Sequence, residues 1–347
     1  MYSFLLIIKS ILIKISLSIK TLSYQSNFTL IAGTDLANLC DYSFGDQASI
    51  LSKIPGGKMK LANQTNQEFR SIVSTISRKR NYMTLFIDNI RLYYRHIPVD
   101  ETNKEWVRKL MSENDLLKLC GHYSNMNFII FTNLEDTPID ENIEGKIPDN
   151  VLGIYAANAV YNNEIVIPFP YGIQRRMRFG DIRKELLLSK MNYECEPTKL
   201  LYINHSVHTN LVARSGIKEL FSNLSWATVV HERINYRKFL SDIKNHKFVI
   251  CPIGNAIDCH RNWEVLYMRR VPVMIKNEYL QNLFKNFPVL FVDNYSDISE
   301  ELLLTKNHLY LQALSFDMQK LNLNKIFSQD VDKCLSKMSN SFDHFKK

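Results

Sequence analysis

The sequence predicts an α/β protein built on two parallel sheets, each covered by helices on both faces. Three observations carry that prediction. Short, continuous apolar runs rich in Val, Ile and Phe alternate with amphipathic stretches through the second half. The first half repeats the pattern less regularly. A chain of 347 residues is long enough for two domains, each burying its own core.

In the second half, residues 199–204 (KLLYIN) read as a strand, 209–222 as a helix, 227–230 as a strand and 236–244 (YRKFLSDIK) as a helix. The runs 248–251, 271–275 and 289–293 are further strands, with helical stretches at 258–269 and 297–304 between them. In the first half, 28–33, 83–88, 128–132, 151–156 and 164–168 read as strands, and 65–78 and 104–119 as helices. Pro168, Pro170 and Gly172 then punctuate the chain before a basic helical stretch at 173–191. The predicted organisation is an apolar segment (1–24), a first Rossmann-like domain (25–192), a second (193–310) and C-terminal helices (311–347) that pack back on the first. The boundary falls near 190–198.

Composition narrows the partners. A hydrophobic fraction of 46% with 22% charged residues is that of a soluble globular chain. The formal charge of +8 favours anionic partners, although a chain this rich in Lys, Asn and Ile gains charge from codon bias alone. No block of five like charges and no aromatic–basic repeat occurs, so no nucleic-acid partner is expected. Six scattered cysteines without CxxC or zinc spacing predict buried thiols in a reducing compartment and no metal centre. A cytoplasmic or peripheral-membrane location follows. The five Asn-x-Ser/Thr sequons are near chance in so Asn- and Ser-rich a chain and leave a secretory lumen open.

Residues 1–20 (MYSFLLIIKSILIKISLSIK) are apolar, but Lys9, Lys14 and Lys20 interrupt them short of the roughly 20 residues a spanning helix needs. Lys14 falls off the helical face shared by the other two, and no small-residue cleavage site follows. A helix packed on the body and a weak membrane association are both open readings. There is no GxGxxG after the first strand of either domain, no GxxxxGK[ST], no HExxH and no GxSxG. Dehydrogenase, P-loop, zinc-protease and serine-hydrolase readings lose their usual signatures.

The most informative segment is 247–272, KFVICPIGNAIDCHRNWEVLYMRRVP. An apolar strand ends in Pro-Ile-Gly, and Asn255, Asp258, His260, Arg261, Trp263 and Glu264 follow at a helix start. Polar groups gathered there are costly unless a ligand or each other satisfies them, and ligands of open α/β sheets sit outside the carboxyl ends of strands. With Asn204, Thr209, Asn210 and Arg214 before it and Pro272 after it, the segment resembles the exostosin-like (family 47 type) glycosyltransferases. Two outer segments are also similar to that family, YAANAVYNNEIVIPFPYGI with Asn158 and Gly172, and FPVLFVDNYSDI. The resemblance covers about 150–345.

That resemblance implies the GT-B fold, two Rossmann-like domains facing across a cleft, the first on the acceptor side and the second holding the donor. It implies transfer of a sugar from a nucleotide sugar (UDP- or GDP-sugar) to a glycan or other hydroxyl acceptor, with inversion and without a tightly bound metal or cofactor. In that reading Glu264 accepts the ribose hydroxyls, and Arg261 and Arg214 neutralise the diphosphate. Gly254 lets backbone N–H groups approach phosphate, and Asp258 caps the helix. Asn204, Asn255 and His260 complete the donor pocket. The bland alternative is that Arg261 and Glu264, at i and i+3, pair on the helix surface.

Three positions depart from the family: Ile253 where an Arg is common, Ala256 for a second Gly, and Arg269 for a Gly before the last strand. The first removes a phosphate contact, and the others tighten the loop or crowd the pocket. The general base belongs in the first domain. Asp46 and Asp35, with Asp41 beside them, are expected at a strand end in GTDLANLCDYSFGDQ, and Asp88 is a further candidate. A catalytically inactive exostosin-like partner in glycan synthesis is the alternative function.

Overall fold

The computed structural model describes residues 28–44, 65–87 and 117–344, apart from 118–119, 134–135, 137, 162, 175–179 and 194. The apolar segment 1–20, Asp46, Asp88 and nearly all of the 104–119 helix therefore lie outside the described residues. In chain order the elements begin with α1 (Gly33–Leu39), β1 (Tyr42–Phe44), α2 (Thr65–Ser77), β2 (Tyr82–Ile87), β3 (Asn127–Thr132), β4 (Val151–Ala156) and β5 (Val166–Pro168). Next come α3 (Gly180–Met191), β6 (Lys199–Ile203), α4 (Leu211–Arg214), α5 (Ile217–Phe221), β7 (Ala227–Val229), α6 (Tyr236–Lys244) and β8 (His246–Ile250). The chain ends with α7 (His260–Tyr267), β9 (Val271–Ile275), α8 (Glu278–Leu283), β10 (Leu290–Val292), α9 (Glu300–Thr305), α10 (Asn307–Ser315) and α11 (Leu323–His344).

The protein is α/β; among the described residues there are two five-stranded sheets in which every strand pair is parallel. One sheet runs β1-β2-β3-β4-β5 and the other β10-β9-β8-β6-β7. Parallel strands are covered on both faces, which is why they appear in sequence as unbroken apolar runs. In β3, Phe128, Ile129, Ile130 and Phe131 are all fully buried. Each such side chain contributes about 1.5–3 kcal/mol of burial.

The described residues divide into two compact units. The β1–β5 unit holds 31–171 and 323–344, and the β6–β10 unit holds 28–30 and 172–322. The chain thus passes between them three times. This differs from the boundary expected near 190–198, because α3 packs against α6 and α7 and belongs with the second sheet. Pro170 and Gly172 (φ +70°), not the polar stretch after α3, mark the crossing.

Three local expectations need correction. Residues 28–33 pair with no strand. Leu30, Ile31 and Ala32 are fully buried in irregular backbone that leads into α1, so their apolarity reflects interior position alone. The polar stretch that follows, expected at a strand end, forms α1 and β1 over its described part, 33–44. The helix expected over 209–222 is split, because Asn210 caps α4 and Gly216 turns left-handed at φ +77°.

The last helix completes the β1–β5 unit. Phe327 of α11 packs on Phe131 with ring centroids 4.8 Å apart, and the Tyr155 hydroxyl donates to the Asp330 carbonyl at 2.9 Å. A Cβ on Gly153 would lie 2.7 Å from the Cys334 sulfur, so β4 and α11 touch at backbone range there. All six cysteines are free, with Cys40, Cys120, Cys251 and Cys334 buried. Among the described residues no helix is long and apolar enough to cross a membrane.

Candidate functional site

In the β6–β10 sheet the chain leaves β6 to form β7 on one side, then returns to place β8 on the other. The order of winding reverses between β6 and β8, and such a reversal opens a crevice at the strands' carboxyl ends. The loops lining it are 204–210 after β6 and 251–259 after β8. Tyr295, just past β10, lies at the same end of the sheet. Most of the residues singled out in the sequence are on those two loops or on the helices that follow them.

Arg214 is engaged by the protein's own backbone. It is 7% exposed, and its guanidinium donates to three backbone carbonyls: Ile253 (2.7 Å), Ser206 (3.0 Å) and Pro252 (3.2 Å). Asn210 adds a second tie, capping α4 through Ala213 N–H and donating to the Gly254 carbonyl at 2.8 Å. Together they bolt the β6 loop to the β8 loop. Burial, then the nearby charge of Arg261, lowers the Arg214 pKa from its usual value.

Gly254 is required by this bolt. A Cβ there would lie 3.0 Å from the Arg214 Nη2, 3.2 Å from the Cys259 sulfur and 3.5 Å from Thr209 Cγ2. Its own N–H turns inward to the Ala256 carbonyl at 3.0 Å. Gly254→Ala should cost about 1–3 kcal/mol, since pinned neighbours have little room to yield. Its urea-unfolding midpoint measures this.

Asp258 is fully buried and accepts from Asn262 Nδ2 (3.0 Å) and Trp263 Nε1 (2.8 Å). It is not the helix cap, because Cys259 holds the N-cap position of α7 and Asp258 stands one residue earlier. Its job is to fix Trp263, whose ring packs on Phe284 and Phe287. His260 Nδ1–H donates to the Gly172 carbonyl at 2.8 Å. Asn204 donates to the Tyr202 hydroxyl at 2.9 Å, while Asn255 is exposed at the loop tip. The Cys251 and Cys259 thiols are pushed by burial up to about 12 and about 11, so neither is a thiolate near neutral pH.

Arg261 and Glu264 behave differently from these structural groups. They do not pair with each other, although one helical turn separates them. The Arg261 guanidinium lies 5.5 Å from the Phe239 ring centroid, and its buried Nε has no hydrogen-bond partner. Glu264 is 5% exposed, and its Oε1 accepts from the Tyr236 hydroxyl at 2.9 Å. Burial raises the Glu264 pKa, opposed by Tyr236 and then by Arg261 and Arg183.

Other unsatisfied groups surround Arg261, and the sequence reading missed them. His205 is buried, with Nε2 on the Arg214 carbonyl at 3.3 Å and Nδ1 without a partner. Burial first, then Arg261, holds its pKa at about 4. The Tyr295 hydroxyl is also buried and unpaired, within range of the Arg214 and Arg261 charges. Lys218 of α5 forms no salt bridge; burial lowers its pKa, the neighbouring Glu219 charge opposes that, and Arg261 adds to the lowering. Unpaired cations and polar atoms are thus concentrated at one strand-end crevice. An anion carrying several acceptor oxygens would satisfy them.

The departures from the family pattern have distinct consequences. Ile253 gives its carbonyl to Arg214, and buried Ala256 gives its own to Gly254. Arg269 does stand where glycine suits the backbone, at φ +56°. Its side chain leads away from α7 to the Leu314 and Phe316 carbonyls (2.7 and 3.1 Å), so it does not crowd the crevice.

In the β1–β5 unit, Asp35 follows no strand. It lies in the first turn of α1, half-buried. Asp41 stands at the amino end of β1 and accepts from Arg80 and from the Thr84 N–H and hydroxyl. That position is at the amino ends of the strands, whereas open α/β sheets bind ligands at the carboxyl ends. Asn133 just past β3 is buried with both ends of its amide unpaired. Among the described residues no group of three His, Cys, Asp or Glu could hold a metal ion.

No protein-family model matches the chain, and no curated protein matches its sequence. Among solved structures it is similar to E. coli heptosyltransferase WaaC with ADP, at 8% identity and a TM-score of 0.26, covering 80% of this chain and all of that one.

Proposed function

We propose that the β6–β10 unit binds the nucleotide part of a nucleotide sugar, and that the protein is a glycosyltransferase of exostosin-like type. The observation that carries this reading is the set of buried groups without hydrogen-bond partners, Arg261 Nε, His205 Nδ1 and the Tyr295 hydroxyl, with the Lys218 cation near Arg261, at the β6/β8 switch point. Arg261 contacts the diphosphate and stabilises the departing nucleotide. Glu264 receives ribose hydroxyls on Oε2, which has no hydrogen-bond partner in the protein. Arg214, Asn210, Gly254 and Asp258 hold the two loops in place instead of touching the donor. Asn204, Asn255 and His260 border the same loops.

The reaction in this reading transfers the sugar to a glycan or other hydroxyl acceptor with inversion, and needs no tightly bound metal. A carboxylate of the β1–β5 unit takes the acceptor proton as the anomeric C–O bond to diphosphate breaks. Asp35 and Asp46 remain the candidates. The test is titration of the full chain with UDP, GDP and ADP by calorimetry, followed by Glu264→Ala. We expect one nucleotide to bind in the micromolar range and the variant to bind at least 10-fold more weakly. Absence of binding to all three, or an unchanged variant, overturns the reading. A second reading, an inactive binding partner in glycan synthesis, is favoured by Ile253, which supplies no side-chain charge. Nucleotide binding without donor hydrolysis or transfer across a donor panel would select it.

A further inference from the structure

We infer that Tyr236 is a positioning residue for Glu264 and thereby sets a preference for ribonucleotides over 2′-deoxyribonucleotides. The inference rests on the proposed ribose role of Glu264. The Glu264 carboxylate is almost wholly buried on α7, and its one hydrogen bond comes from the Tyr236 hydroxyl to Oε1 at 2.9 Å. With Oε1 engaged, Oε2 is left to accept, and the carboxylate plane is fixed before a ligand arrives. A sugar hydroxyl can donate to it. A 2′-deoxy sugar has one hydroxyl fewer and leaves a buried acceptor less well satisfied.

Tyr236 is itself held. It opens α6, whose N-terminus is capped by Asn235 accepting from the Lys238 N–H at 2.9 Å. The Arg183 guanidinium, from α3, lies 4.7 Å from the Tyr236 ring centroid and hydrogen-bonds Gln174. Phe239, one turn on, lies against the same ring at 6.1 Å and also faces Arg261. Three helices thus meet at Glu264: α6 brings Tyr236, α3 brings Arg183, and α7 carries Glu264 with Arg261. Cys251, at the end of β8, also feels the carboxylate charge.

The sign of the pH effect follows from these contacts. Burial favours the protonated acid, while the Tyr236 hydroxyl and the two arginines favour the carboxylate. Ribose binding that needs the carboxylate is therefore complete above the Glu264 pKa and lost as pH falls through it. Deleting the hydroxyl removes one stabiliser of the carboxylate, so the loss begins at higher pH.

The experiment titrates the full-length protein and Tyr236→Phe with UDP, 2′-deoxy-UDP, GDP and 2′-deoxy-GDP between pH 5 and 8.5. For the wild type we expect a ribo-to-deoxy affinity ratio of about 10. In Tyr236→Phe the ratio should fall several-fold, the acid limb of the ribonucleotide profile should move to higher pH, and deoxynucleotide affinity should fall by less than ribonucleotide affinity. Should Tyr236→Phe fail to fold, Arg183→Gln reads the same network and should move the acid limb in the same direction. An unchanged ratio with an unshifted limb, in a variant that still binds nucleotide, overturns the inference alone. Failure of the wild type to bind any of the four overturns the proposed function and the inference with it.

Discussion

Arg214→Ala is expected to lower the stability of the protein by about 3–5 kcal/mol, the largest effect of any single change at the crevice. Three carbonyls, of Ser206, Pro252 and Ile253, lose their donor together. Bonds to a charged donor are worth roughly 1.5–3 kcal/mol each, and they are not additive within one guanidinium. Relief of repulsion from Arg261 returns part of the loss. Lysine should not rescue the variant, because one ammonium cannot span three carbonyls set around a planar fork. Urea unfolding followed by circular dichroism measures the effect. A loss below about 1 kcal/mol would mean that the loops are not joined through this residue.

Arg261→Ala should do the opposite. It is expected to weaken binding of the preferred nucleoside diphosphate about 10- to 100-fold while leaving stability unchanged or slightly raised. The affinity loss is that of one or two charge-assisted bonds to phosphate oxygens. Stability is spared because Arg261 forms no ion pair, and its repulsion from Arg214 and Lys218 offsets its attraction to Glu264. Its removal should also let the His205 pKa rise from about 4, since Arg261 is the second cause of the depression after burial. Calorimetry gives the first quantity and histidine NMR titration the second. Undiminished nucleotide affinity would remove Arg261 from the proposed phosphate contact.

The contrast between these two arginines shows where sequence reading runs out. Both are cations in an ordered motif, and nothing local separates them. Arg214 meets carbonyls that lie 8, 38 and 39 residues away, so its role is decided only when two loops come together. Tyr236 is 28 residues from Glu264 and carries no motif of its own. Lys218, His205 and Tyr295 are likewise ordinary until the parallel sheet gathers strand ends.

What was legible is the part with a local cause. The strands Val151–Ala156 and Val271–Ile275 and the helix Tyr236–Lys244 match their predicted limits because turn residues or charged residues bound each apolar pattern. The 28–33 run failed for the complementary reason: a buried chain crossing is as apolar as a strand. The three-residue β1 was missed because Tyr42-Ser43-Phe44 is too short for a period to register.

The distribution of the chain between its two units has a consequence for synthesis. The β6–β10 unit is complete once residue 322 has been made, although it is encoded second. The β1–β5 sheet, begun first, lacks its 22-residue closing helix until residue 344 has been made. Vectorial translation, at about 5–20 residues per second, therefore leaves the early sheet waiting with Phe131 unroofed by Phe327. The order of completion on the ribosome is the reverse of the order of the genes' text, and the nascent chain spends that interval with its first core open.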